Sequence, residues 1–132
     1  MELRSATVKV ILLVEPDDAV RPALRDNLHQ WGYLVTVTLD GADALQRTRY
    51  SGESFDLILI NQFKQSIDET VDLGRQIRQH ADHFRRIPIV VMAEKYGPEL
   101  EGKDIQVGES EYVTYLEDGQ QLKHLLHTLC PL

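Results

Sequence analysis

The sequence predicts an α/β fold: a single doubly wound (βα)5 domain on a five-stranded parallel sheet of order 2-1-3-4-5, its fourth helix short or distorted. Three observations carry that expectation. Five short apolar runs alternate with helical patterns. Most of the runs are near-continuous Val, Ile and Leu, as in parallel strands covered on both faces. The connections are short, which suits crossover helices packed back onto one sheet. At 132 residues the chain is sized for one domain, 1–132, with its core over about 8–130.

The strands are expected at 8–14, 33–38, 55–60, 87–92 and 112–116. Between the first two, Val20, Leu24, Leu28 and Trp31 recur at helical spacing, with Asp17 or Asp18 as N-cap and Gly32 as terminator. Pro22 conflicts with a helix beginning at Asp18, because it then sits too far inside the first turn. Asp40-Gly41 opens a shorter helix that ends near Gly52. Ser66-Ile67-Asp68-Glu69 is a capping-box pattern, and Ile67, Val71, Gly74, Ile77 and Ala81 follow on one face. Asp118-Gly119-Gln120-Gln121 repeats that logic before Leu122, Leu125, Leu126 and Leu129. The crossover 94–110 is the weak one. Gly97, Pro98 and Gly102 oppose a helix there, since Gly and Pro cost about 1 and 3 kcal/mol relative to Ala in a helix interior.

Composition narrows the function classes. Apolar residues make up 42% and charged residues 27%, the balance of a globular protein rather than a disordered one. A net charge of −7 without a basic block argues against nucleic-acid binding. The longest apolar stretches, 10–14 and 87–93, are strand-sized, so no membrane span is expected. The segment from Met1 to Ser5 has no hydrophobic signal core, which suggests a cytoplasmic location. Cys130 is the one cysteine; it excludes an internal disulfide and fits a reducing compartment.

Ligands of such sheets sit outside the carboxyl ends of the strands. Those ends read Glu15-Pro16-Asp17-Asp18, Asn61, Ala93-Glu94 and Thr114-Tyr115-Leu116. With the segments 10–21, 39–45, 55–61 and 86–92 in order and at matching spacing, the chain resembles a response-regulator receiver domain, of flavodoxin-like topology, over nearly its whole length. The resemblance implies a bacterial two-component signalling role in phosphorelay. In that family two acidic residues after the first strand help hold Mg²⁺, and an aspartate after the third accepts phosphate. A Thr or Ser after the fourth bonds the phosphate, and a Lys-Pro pair follows the fifth.

Mapped without gaps, the acidic pair becomes Glu15 and Pro16, the acceptor Asn61, the hydroxyl residue Ala93 and the Lys-Pro pair Tyr115 and Leu116. A carboxamide is neutral and a poor nucleophile, so the phospho-aspartate chemistry is lost with Asn61. Mg²⁺ binds through hard oxygen ligands, and Glu15 alone supplies too little charge; no metal and no cofactor are expected. A shift past Pro16 would let Asp17 join Glu15 in a residual Mg²⁺ site, an alternative weighed against helix capping by Asp17 and Asp18. Leu116 in place of proline predicts a trans Tyr115–Leu116 bond. Asp56 is early in its strand and remote from the carboxyl end, and Asp68 reads as a solvated first-turn residue that stabilises its helix N-terminus. Neither has a complete site around it, so both make poor substitute acceptors.

The expectation is a pseudo-receiver, not an enzyme, acting through protein–protein contact in signal transduction. Its surface is placed on the fourth crossover, fifth strand and fifth helix, at Tyr96, Tyr112 and Tyr115; a homodimer through that face is one form the contact could take. Two rivals remain. One is a phosphorylation- or cation-responsive receiver using Glu15 and Asp17 with an unorthodox acceptor. The other is a small-ligand sensor in the vacated pocket. Neither His80–His83 nor His124–His127 has a third ligand, and both pairs read as solvated surface residues. No Gly-rich phosphate cradle, Gly-x-Ser-x-Gly elbow or Cys-x-x-Cys pair occurs.

Overall fold

The computed structural model describes residues 8–81 and 86–132. Met1–Thr7, His83 and Arg85 lie outside them. The strands are β1 Val10–Val14, β2 Leu34–Thr38, β3 Leu57–Asn61, β4 Ile89–Met92, β5 Asp104–Gln106 and β6 Glu111–Thr114. The helices are α1 Arg21–Gln30, α2 Gly41–Tyr50, α3 Ile67–Ala81 and α4 Gly119–Leu129. One six-stranded sheet runs β2-β1-β3-β4-β6-β5. Its first five members are parallel in the expected order, and β5 adds an antiparallel edge.

The expected five-stranded sheet is therefore corrected to six strands, and the expected fourth helix is absent. The crossover after β4 makes turns over 98–102, and Gly102, at φ 86°, donates its N–H to the Tyr115 carbonyl at 2.7 Å. That left-handed conformation suits glycine. It turns the chain back so that Tyr115 N–H reaches the Lys103 carbonyl at 2.8 Å and β5 pairs with β6.

The sheet is buried on both faces. On one side α1 and α4 cover Ile11, Leu13, Leu57, Leu59, Val90 and Met92; on the other, α2 and α3 cover Leu12, Val14, Ile58, Ile60, Ile89 and Val91. This explains the continuous apolar runs, since alternation would leave polar residues in one of the two cores. Gly74 lets α3 approach closely, because a Cβ there would stand 2.7 Å from Ile89 Cγ2.

Helix punctuation follows the predicted chemistry at three starts. Asp43 N–H donates to Asp40 at 2.8 Å, and Gln121 N–H donates to Asp118 at 3.0 Å. Ser66 and Glu69 exchange both bonds of a capping box. The first helix differs. It begins at Arg21 with Val20 as an N-cap that offers no side-chain bond, which leaves Pro22 in the first turn where it needs no N–H partner.

Two contacts tie the end of α1 to the C-terminal segment. His127 Nε2 lies 3.0 Å from the Trp31 carbonyl, and the Tyr33 hydroxyl donates to the Cys130 carbonyl at 2.8 Å. Since a carbonyl can only accept, the Trp31 contact places the proton on Nε2 of His127. His127 is thus half-buried and engaged, correcting its reading as a solvated residue, while His124 is exposed. No described helix is long and apolar enough to cross a membrane.

Candidate functional site

The carboxyl ends of β1, β3 and β4 bring Glu15, Asn61 and Ala93 together. β1 delivers Glu15 just past Val14, where it is fully buried, and β3 ends on Asn61. Asn61 Nδ2 donates to both carboxylate oxygens of Glu15, at 2.9 Å each. The backbone N–H of Asp17 adds a third bond to Oε2 at 3.1 Å. Arg21, from the first turn of α1, donates through Nε to the Glu15 carbonyl at 2.8 Å and pairs with Asp18, also at 2.8 Å.

Burial pushes the Glu15 carboxyl above the ordinary value of 4.5, with the bonds from Asn61 and Asp17 pulling the other way. The group is a desolvated acid that a neighbouring amide partly compensates. A second carboxylate at position 61 would add charge repulsion to the cost of burial, whereas the carboxamide donates to the acid and lowers that cost.

Pro16 is half-buried and lines the adjoining cleft. The Asp17 carboxylate lies close enough to Glu15 for its charge to help raise the Glu15 carboxyl. Its Oδ1 accepts from Ala19 N–H at 2.9 Å, and its carbonyl accepts from Val20 and Arg21. Asp17 therefore shapes the turn that precedes α1 rather than capping the helix. Both oxygens of Glu15 are engaged, and among the described residues no group of three His, Cys, Asp or Glu side chains could hold a metal. The residues present do not fit a Mg²⁺ ion with hard oxygen ligands.

At the neighbouring strand ends, Ala93 and Tyr115 pack against the α2–α3 core. All peptide bonds among the described residues are trans, including Tyr115–Leu116. The Leu116 carbonyl accepts from the Tyr96 hydroxyl at 2.5 Å. Tyr96 and Tyr115 meet edge to face with ring centroids 5.4 Å apart. Tyr112 packs against the opposite, α1–α4, core. The three tyrosines are half-buried and do not form one patch, because positions 112 and 115 fall on opposite faces of a strand.

Asn61 lines two cavities at once. One, about 650 Å³, opens between β1, β2 and β3 with Arg21, Leu39, Asp40, Phe63 and Lys64 on its walls. The other, about 270 Å³, lies between α1 and the β4 and β6 ends, lined by Glu15, Leu24, Trp31, Ala93, Tyr96 and Leu116. Tyr115 is not among the residues lining it. Asp56 is elsewhere: its Oδ2 accepts from Val10 N–H at 2.8 Å, at the amino end of the sheet. Asp68 is exposed in the first turn of α3.

Gln62 and Arg21 are site residues that the motif reading passes over. Gln62 donates to the Gln65 carbonyl and accepts from Glu94 N–H at 2.7 Å, tying the β3–α3 loop to the end of β4. Only their positions, directly after a strand end and at a helix start, could have signalled them.

No family model matches the sequence, and no curated protein matches it. Solved structures do. A CheY-like response regulator receiver domain from Methylobacillus flagellatus is 18% identical, with a TM-score of 0.68 over 93% of this chain and 99% of that one. Chemotaxis protein CheY4 of Vibrio cholerae is 22% identical, with a TM-score of 0.66 over 93% and 99%. The receiver domain of the sensor histidine kinase PA1611 from Pseudomonas aeruginosa, solved with a magnesium ion coordinated in its active site cleft, is 22% identical, with a TM-score of 0.64 over 93% and 98%. The fold of this chain is that of response-regulator receiver domains.

Proposed function

We propose that this is a pseudo-receiver: a response-regulator receiver-like signalling domain that does not run the phospho-aspartate cycle, is not an enzyme, and acts by contact with a protein partner in the cytoplasm. The observation that carries the reading is the bond from Asn61 Nδ2 to both oxygens of Glu15. It replaces a nucleophile with a neutral donor and occupies the carboxylate that a cation would need. Ala93 removes the hydroxyl partner of a phosphate, and Tyr115 replaces a cation with a ring packed on the core. These changes support one another, because an unpaired lysine at that place would bear a desolvation cost with no anion to offset it.

The test is incubation with Mg²⁺ and acetyl phosphate, followed by intact-mass measurement, with beryllofluoride and amide chemical shifts as a second arm. No phosphoryl adduct and no shift change centred on Asn61 are expected. An adduct overturns the reading in favour of an unorthodox acceptor.

The cavity of about 270 Å³ beside Asn61 and Ala93 favours a second reading, a small-ligand sensor, because Tyr115 does not fill it. Ala93→Leu would narrow that space; a ligand that raises the melting temperature of the wild type but not of this variant would establish the sensor.

A further inference from the structure

We propose that the outer edge of β5 is a docking edge for an extended, basic segment of another protein, which adds to the sheet as a seventh strand. The inference rests on the partner-binding reading above and names the kind of partner. Its first support is hydrogen-bond direction. Lys103 and Val107 bond inward to Tyr115 and Glu111, and Ile105 pairs with Val113 between them. In an antiparallel ladder the intervening residues point their N–H and C=O groups the other way. Asp104 and Gln106 therefore present theirs to solvent, and all three residues of β5 are exposed.

The second support is the side-chain surface beside that edge. Ile105 and Val107 are 37% and 45% exposed, two apolar positions at strand spacing that an added strand would cover. Main-chain bonds would supply affinity, and these alternate side chains selectivity.

The third support is charge, which chooses the occupant. Residues 94–118 hold eight acidic residues against two lysines. Glu109 and Glu111 are paired with Arg86, Arg75 and Arg78, which leaves six acidic residues against the two lysines. Among the described residues Glu99, Glu101, Asp104 and Glu117 form no ion pair. A second copy would bring like charge to like charge. Charges on a short edge are a common guard against indiscriminate strand pairing; here they leave a basic strand as the complementary one.

The test uses the full chain and a fluorescent peptide of alternating lysine and valine, read by anisotropy. Binding that weakens with salt is expected, together with slowed amide exchange at Asp104 and Gln106. Gln106→Pro removes an outward N–H and no β5–β6 backbone bond, but also the Gln106 side-chain bonds to the Gly108 and Glu109 carbonyls. Gln106→Ala loses only the side-chain bonds and should bind as wild type, whereas Gln106→Pro should weaken binding about tenfold or more. A probe N-methylated at alternate residues should lose binding to the wild type, which keeps the test decisive if the proline variant unfolds. Equal binding of a glutamate–valine peptide, or of the N-methylated probe, overturns the proposal. So does a concentration-dependent dimer in sedimentation that Gln106→Pro abolishes, because the occupant is then a second copy. Acetyl phosphate labelling tests the pseudo-receiver reading without involving β5, so failure of either is separable from failure of the other.

Discussion

Asn61 Nδ2 stands 2.9 Å from both carboxylate oxygens of Glu15, a side chain with no solvent exposure. An amide at this place stabilises a buried acid, and much of the site's behaviour follows from that pairing.

Restoring the aspartate alone should harm the protein. Asn61→Asp sets a second carboxylate against Glu15 without a cation to separate them, and both then favour protonation in the fold. The folded state binds more protons than the unfolded one, so stability should rise as pH falls. We expect a loss of about 1–3 kcal/mol at pH 7, shrinking at pH 5 in urea titrations, and no acetyl phosphate labelling.

Glu15 itself separates charge from hydrogen bonding. Its folded pKa is raised, mainly by burial, so ionising it opposes folding once pH exceeds the unfolded value. Glu15→Gln should be more stable than wild type at pH 7, with the gap closing below about pH 4.5. Glu15→Ala should instead cost about 1–3 kcal/mol, because Asn61 Nδ2 and Asp17 N–H lose their acceptor. Chemical denaturation at two pH values separates the variants.

At the other end of the sheet, Glu111 is buried between Arg75 and Arg78, at 3.0 and 2.7 Å. Burial pushes its carboxyl up, but the bonds from Arg78 and Arg75 outweigh that and hold it below the ordinary 4.5. Its stabilisation is present above the unfolded carboxylate value and is lost as pH falls through the folded one. Arg78→Ala should cost about 2–4 kcal/mol, less than a whole buried pair because Arg75 remains. An acid-unfolding midpoint shifted to higher pH would record it.

Gly74→Ala weighs two effects of opposite sign. Helix propensity favours alanine by about 1 kcal/mol, yet the new methyl would meet Ile89 Cγ2 at 2.7 Å and Ile60 Cδ1 at 3.2 Å. Both isoleucines are buried within the core. Overpacking of this kind costs about 1–3 kcal/mol, so a net loss is expected, visible as a lower melting temperature.

The parallel sheet order and three helix starts were legible because their signals are local. Continuous Val/Ile/Leu runs and Asp40, Ser66 and Asp118 each announce their own element. β5 was not, since three exposed residues carry no period, and its pairing depends on Gly102 turning under the Tyr115 carbonyl. Gly97, Pro98 and Gly102 indicated that a helix was disfavoured, without indicating what replaces it. The start of α1 was misplaced because Asp17 satisfies Ala19 in a turn rather than the helix, and Pro22 proved the better marker. At the site, the residue types of Glu15, Asn61 and Ala93 were readable. The bidentate Asn61 contact and the split of Tyr112 from Tyr115 depend on three-dimensional register.

The bonds from Tyr33 to Cys130 and from His127 to Trp31 span 97 and 96 residues. At roughly 5–20 residues per second of synthesis, the hydroxyl of Tyr33 is made roughly 5–20 s before the carbonyl that receives it. During that interval β1 to β4 are made, but the α1 side of the sheet lacks α4, which supplies part of its cover. Until α4 arrives, Leu122, Leu125 and Leu126 are missing from the core they share with α1, so the yield of folded protein in cells should depend on that closing step.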